Sequence, residues 1–221
     1  MIMRITTGIP NFEKLVEGGI PRGSTVLVQG EYGTGKTTFA LQYIVKGLTA
    51  HDEFGALISF VDDREDLLMD AKMYGFPVKR FEKIGTLKIS GSSSIEREGR
   101  ELVERILDTV EEEEADRLAI DGMSRFRDLF EDESDFKKGM HELKRKLREA
   151  ECTTVITGGP DSGIEEIVDG VVILHYEGGG LERTRAMEIR KMRRTEHTSR
   201  LCPFEITREG INVTGYPEEK E

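Results

Sequence analysis

A chain of 221 residues is long enough to bury the core of one α/β domain spanning 1–221, and nothing in it requires a second. Its net charge of −11 excludes a surface that coats nucleic acid throughout, though not a local basic patch, and a charged fraction of 34% with no Trp suits a heat-adapted source. No apolar run approaches membrane-spanning length and no signal peptide opens the chain, so a cytoplasmic protein is expected, with Cys152 and Cys202 as reduced thiols, too few for a disulfide framework or a thiolate metal site.

Ser24–Gln29 is a β-branched, apolar run that reads as a buried parallel strand. It leads into Gly30, Glu31, Tyr32, Gly33, Thr34, Gly35, Lys36 and Thr37, which fit the phosphate-binding pattern GxxxxGK[ST]. The glycines let the backbone turn tightly with its N–H groups aimed inward, and the helix beginning near Lys36 adds its positive end. Lys36 is expected to reach the β/γ-phosphate oxygens of a nucleotide and the Thr37 hydroxyl to ligate Mg²⁺, with Thr38 completing the loop. Ala40, Leu41, Ile44, Val45 and Leu48 fall on one face of that helix.

Gly55–Val61 reads as a second buried strand and Glu65–Tyr74 as a helix closed by Gly75. A short strand, Leu87–Ile89, precedes Gly91-Ser92-Ser93-Ser94, where the serines could bind an anion but a solvated loop is favoured. A helix over 96–112 buries Leu102, Val103, Ile106, Leu107 and Val110 and ends in an acid run, read as a solvated face. Arg117–Asp121 is the next strand. Asp121 stands at its carboxyl end, where an acid in a nucleotide-binding α/β sheet can order Mg²⁺ through water, the Walker B position.

Phe136, Met140, Leu143, Leu147 and Ala150 mark a further helix, with Lys144, Arg145, Lys146 and Arg148 on a face expected to be solvated. Thr153–Thr157 and Gly170–His175 supply two more core strands, so the repeated units predict a parallel sheet with helices on both faces. In the last quarter, Leu181–Lys191 and Phe204–Val213 alternate like hairpin strands, with turns at Gly178–Gly180 and Glu209-Gly210. The stretch from Arg183 to Arg200 is cationic, carrying also Arg185, Arg190, Lys191, Arg193 and Arg194. His51, His141 and His175 read as structural, while for His197 the structural and functional readings stay open.

Three segments in order, TTGIPNFEKLVEGGIPRGSTVLVQGEYGTGKTTFALQ, ISFVDDREDLLMDAKMYGF and EIRKMRRTEHTSRLCPFEITREGINV, resemble the KaiC-like branch of the RecA/RadA superfamily of P-loop ATPases, which includes bacterial clock ATPases and many single-domain archaeal proteins. The resemblance implies a RecA-like core that binds ATP and Mg²⁺ and assembles as a homo-oligomer, usually a ring of six, with ATP between neighbours. Lys191 and Arg193 match a motif whose basic side chains reach the γ-phosphate of the adjacent subunit, and His197 falls on that motif's histidine.

The departures from the family pattern are specific. Two adjacent Glu usually follow the second strand, the first acting as the water-activating base; here they are Val61 and Asp62, so Asp62 becomes the candidate base, Asp63 a substitute, and hydrolysis is expected to be slow. Arg194 stands where Gly is common, and Asn11-Phe12-Glu13 where Gly-Leu-Asp is usual. Glu165-Glu166 replaces the Ser-Thr pair that the clock autokinases phosphorylate, which favours an ATPase-type domain. The resulting expectation is an ATP-binding ring protein whose nucleotide state sets assembly or partner binding. The alternative is a recombinase paralogue that binds single-stranded DNA or a recombinase with little turnover, its basic hairpin supplying phosphate contacts.

Overall fold

The computed structural model describes residues 2–95, 99–178 and 183–215. In chain order the elements are β1 (Arg4–Ile5), β2 (Ile20–Pro21), β3 (Thr25–Gly30), α1 (Lys36–Ala50), β4 (Gly55–Ser59), α2 (Arg64–Met73), α3 (Val78–Lys83), β5 (Leu87–Ser90), α4 (Gly99–Glu112), β6 (Arg117–Asp121), α5 (Met123–Arg127), α6 (Glu133–Glu149), β7 (Thr153–Gly158), β8 (Gly170–Glu177), β9 (Thr184–Met192), β10 (Cys202–Thr207) and β11 (Gly210–Val213). Short 3₁₀ turns lie at Phe12–Leu15 and Ser92–Ser94.

Among the described residues β3 to β11 form one nine-stranded sheet, in the order β11-β10-β9-β8-β3-β7-β6-β4-β5, and β1 pairs with β2 beside it. The stretch from β8 to β5 is parallel, whereas β8, β9, β10 and β11 run antiparallel in turn. The two-residue alternation of strand side chains divides the core between the faces. Val26 and Val28 of β3 pack with α1, α2 and β11, while Leu27 packs with α4, α5 and α6 on the other face. Both faces are covered, which is why the middles of the central strands, Val26–Val28, Leu118–Ile120 and Val155-Ile156, are apolar on both.

Most predicted elements occupy their expected places, with differences that have local causes. The second strand stops at Ser59 because Val61 and Asp62 turn back onto the Ser59 hydroxyl, leaving Val61 54% exposed. Helix α4 is described from Gly99; the start expected at 96, like the turn residues Gly179 and Gly180, lies outside the described residues. The turn expected at Glu209-Gly210 within Phe204–Val213 falls one residue earlier, at Arg208-Glu209, between β10 and β11. α6 begins where the Asp132 carboxylate accepts from the Asp135 N–H at 2.8 Å, and its first turn is acidic and its last basic, as the helix dipole favours. Its outer basic face is only partly solvated: Lys144 and Arg148 reach the buried Asp169 at 3.1 and 2.7 Å. A burial-driven rise at Asp169 is outweighed by Lys144, Arg148 and the Thr25 N–H, which hold its carboxyl below the usual range. Cys152 and Cys202 are free and buried.

Candidate functional site

The carboxyl ends of the parallel strands converge on the loop between β3 and α1. Gly35 precedes α1 at φ 101°, a left-handed conformation that a side chain would strain, and the helix starts at Lys36. Lys36 folds back across the loop, its Nζ donating to the carbonyls of Gly30 and Glu31 at 2.8 Å each. Burial lowers its pKa, opposed by the charges of Asp121 and Glu31. The Thr34 hydroxyl braces the turn by donating to the Glu31 carbonyl at 2.9 Å, and Tyr32 is 96% exposed at the rim. Thr38 faces elsewhere, its hydroxyl donating to the Tyr74 hydroxyl at 3.2 Å.

Asp121, 2% exposed at the end of β6, is the hub of the site. Its carboxylate accepts from the Thr37 hydroxyl at 3.3 and 3.2 Å, from Thr157 at 2.5 Å and from Ser59 at 3.4 Å. Residues from β4, β6, β7 and α1 thus meet at one carboxylate. This donor set fits Mg²⁺. The described residues contain no group of three or more His, Cys, Asp or Glu able to cage an ion, so a hydroxyl and one carboxylate would leave the remaining positions to phosphate oxygens and water, as that cation prefers. Ser59 and Thr157 were not singled out from the sequence, although each stands at or near the carboxyl end of a parallel strand, as Asp121 does. Arg185, in sequence one cation of a basic stretch, stacks over the Tyr176 ring at 4.2 Å and lies 3.4 Å from the Gly33 carbonyl.

The turn after β4 carries Val61, Asp62 and Asp63. One Val61 methyl lies 2.4 Å from where a Cβ on Gly122 would stand, so Val61 packs over the glycine that follows Asp121. Asp62 is held through its N–H, which donates to Ser59 Oγ at 3.0 Å. Burial, then the charges of Asp121, Asp70, Asp66 and Asp63, push its carboxyl up. Asp63 is shifted the other way: hydrogen bonds from the Ser92 hydroxyl at 2.7 Å and the Ser93 N–H at 3.0 Å hold its carboxyl down. Of the two, Asp62 has the more basic carboxylate and the nearer relation to Asp121.

Lys191, Arg193 and His197 are not brought to this loop. Register places Gly30 opposite Leu174, Val26 opposite Gly170 and Gly170 opposite Met192. Met192 is therefore level with Val26, roughly 13 Å along the strands from Gly30 at about 3.3 Å per residue. Lys191 donates to the carbonyls of Glu165 at 2.9 Å and Val168 at 2.7 Å, Arg193 is exposed, and His197 Nδ1 lies 3.1 Å from the Thr198 carbonyl. Burial, with Arg193 and Lys144 nearby, lowers the Lys191 pKa.

Comparison with known proteins gives the family and the fold. The family model for the KaiC ATPase covers residues 5–218. The circadian clock oscillator protein KaiC of Parathermosynechococcus lividus is 34% identical over 225 residues, covering 94% of this chain and 41% of the relative. Its counterpart in Synechococcus elongatus is 33% identical over 230 residues, covering 96% and 44%. The chain thus spans less than half the length of these curated relatives. A crystal structure of a KaiC-like protein from the hyperthermophilic archaeon Pyrococcus horikoshii OT3 superposes with a TM-score of 0.88 at 34% identity, covering 98% of this chain and 100% of that one.

Proposed function

The chain belongs to the KaiC family of RecA-fold, ATP-binding P-loop proteins, and from that premise we propose that it hydrolyses ATP slowly, with Mg²⁺, at the interfaces of a homo-oligomeric ring. The observation that carries this reading is the meeting of Thr37, Thr157 and Ser59 on the buried Asp121 beside the Lys36 loop. Lys36 leaves its two loop carbonyls to bind phosphate oxygens, and the α1 N-terminus holds the same group through backbone N–H. The Thr37 hydroxyl and the Asp121 carboxylate would hold Mg²⁺, which would supply charge neutralisation at the phosphates. Asp62 takes the proton of the attacking water, its raised pKa making it a better acceptor than Asp63. An aspartate one position beyond the usual glutamate reaches less far, and a misplacement of about 1 Å costs on the order of a hundredfold, so turnover is slow and the nucleotide-bound state predominates.

Arg193 and Lys191, at the opposite end of the strands from their own loop, act on the nucleotide of a neighbouring copy; His197 goes with them. Lys191 must first leave the Glu165 and Val168 carbonyls, whereas Arg193 is already exposed, so Arg193 is the principal group in trans. The single-stranded DNA reading has less support: Arg185 and Arg183 stack on Tyr176 at one end of β9, Arg190 pairs with Glu188 at 2.6 Å, and Arg193 lies at the other end, so these arginines form no single stripe. The test is single-turnover hydrolysis with Mg²⁺ in the wild type and Asp62→Asn. Hydrolysis slowed about 10²- to 10⁴-fold by Asp62→Asn, with a residual rate still measurable in single turnover, is expected; a wild-type rate in the variant sinks the assignment of the base.

A further inference from the structure

The Gly91–Ser94 loop has no place in the chemistry above, yet Gly91, Ser92 and Ser93 all meet the turn that carries Asp62. We propose that Asp63 and Ser92 are positioning residues, a clamp that fixes the Asp62 carboxylate over the phosphate site; this rests on the reading of Asp62 as the base.

The peptide groups of Asp62 are held from both sides. Its N–H donates to Ser59 Oγ at 3.0 Å, which ties it to Asp121, and its carbonyl accepts from the Ser92 N–H at 3.1 Å. One residue on, Asp63 Oδ1 accepts from Ser92 Oγ at 2.7 Å and the Ser93 N–H at 3.0 Å. The two segments are in backbone contact, since a Cβ on Gly91 would lie 2.3 Å from the Arg64 nitrogen. The loop itself is closed as a 3₁₀ turn, with the Ser94 N–H and hydroxyl donating to the Gly91 carbonyl at 3.0 and 2.6 Å. Asp63 occupies the N-cap position of α2, where an aspartate ordinarily accepts from the helix's first N–H groups, but its side chain makes no cap bond. The carboxylate is committed to the serines instead, and an ordinary helix start has no need of that. With Val61 in place of a carboxylate and Asp62 short of reach, the turn has little tolerance for drift, so fixing it bears directly on rate.

The experiment uses the full chain with saturating ATP and Mg²⁺, and reads single-turnover hydrolysis, calorimetric ATP affinity and the thermal midpoint. Asp63→Ala and Ser92→Ala are each expected to slow hydrolysis roughly ten- to a hundredfold with ATP affinity retained, and Ser92→Thr to restore the rate. In the double-mutant cycle, Asp62→Asn with Asp63→Ala is expected to be no slower than Asp62→Asn alone, because Asp63 acts only through Asp62; a general structural role would give independent, additive losses. Additive loss overturns the proposal, as does a wild-type rate in Asp63→Ala and Ser92→Ala beside a slowed Asp62→Asn, which leaves the base assignment standing. Should Asp63→Ala not fold, Ser92→Ala reads the same contact from its other side. If Asp62→Asn hydrolyses at the wild-type rate, or the wild type binds ATP and never turns it over, base and clamp fall together.

Discussion

Two residues that depart from the family pattern share one backbone property. Arg194 has φ 60° and Asn11 φ 65°, both left-handed, and both stand where the family commonly has Gly. Asn tolerates that region, and here its Nδ2 also donates to the Val213 carbonyl at 2.9 Å. Arg194 is the more costly choice, its guanidinium only 3.4 Å from Ser24 Oγ. Chemical denaturation should find Arg194→Gly more stable than Arg194→Ala by about 1 kcal/mol, the order of the left-handed penalty; equal stabilities would show that no strain is stored there. The sequence exposed these substitutions but not their common cause, which needs dihedral angles. At the loop, Lys36→Ala removes the one side-chain cation of the loop and should weaken ATP binding by roughly 1.5–3 kcal/mol in calorimetry. Val61→Glu should raise kcat by about tenfold or more with little change in ATP affinity, since a carboxylate there acts on the water; an unchanged kcat would mean that Asp62 already does the whole task.

At the scale of elements, legibility followed pattern strength. The strands entering the phosphate loop and Asp121 were readable because burial on both faces makes them continuously apolar, and Arg117–Asp121 appears with the bounds the sequence indicated. Helix α3 was not foreseen: it has six residues, of which only Val78 is buried, too short a run to show a period. Nor was the partner of α6, because Asp169 lies far from Lys144 and Arg148 in sequence and nothing local marks it as a buried acceptor. Its folded pKa is depressed, so its contribution is present above the ordinary carboxylate range and is lost as the pH falls through that lower value. Asp169→Asn should therefore cost about 2 kcal/mol at neutral pH, less than a fully buried pair because Arg148 is half-exposed, and should flatten the acid limb of stability. Urea unfolding at neutral and acid pH checks both; a constant loss at every pH would argue against the ion pair.

For the whole molecule, the Lys36 loop and Arg193 lie at opposite ends of the parallel strands, so the shared site proposed above would join unlike ends of two copies. Light scattering should detect an oligomer in ATP and Mg²⁺. Mixing Lys36→Ala with Arg193→Ala should regain activity above the average of the parents, at junctions where an intact loop meets an intact arginine; a simple average at every ratio would place each site within one chain. Head-to-tail contact of this kind closes into a ring only if the rotation per copy divides the circle, and otherwise runs on as a filament. In an assembly built on the proposed shared site, the end-to-end separation of loop and arginine would set a direction: a copy lacking its arginine would silence one junction and leave the other alive, so activity in mixtures should scale with the number of intact junctions, not of intact copies.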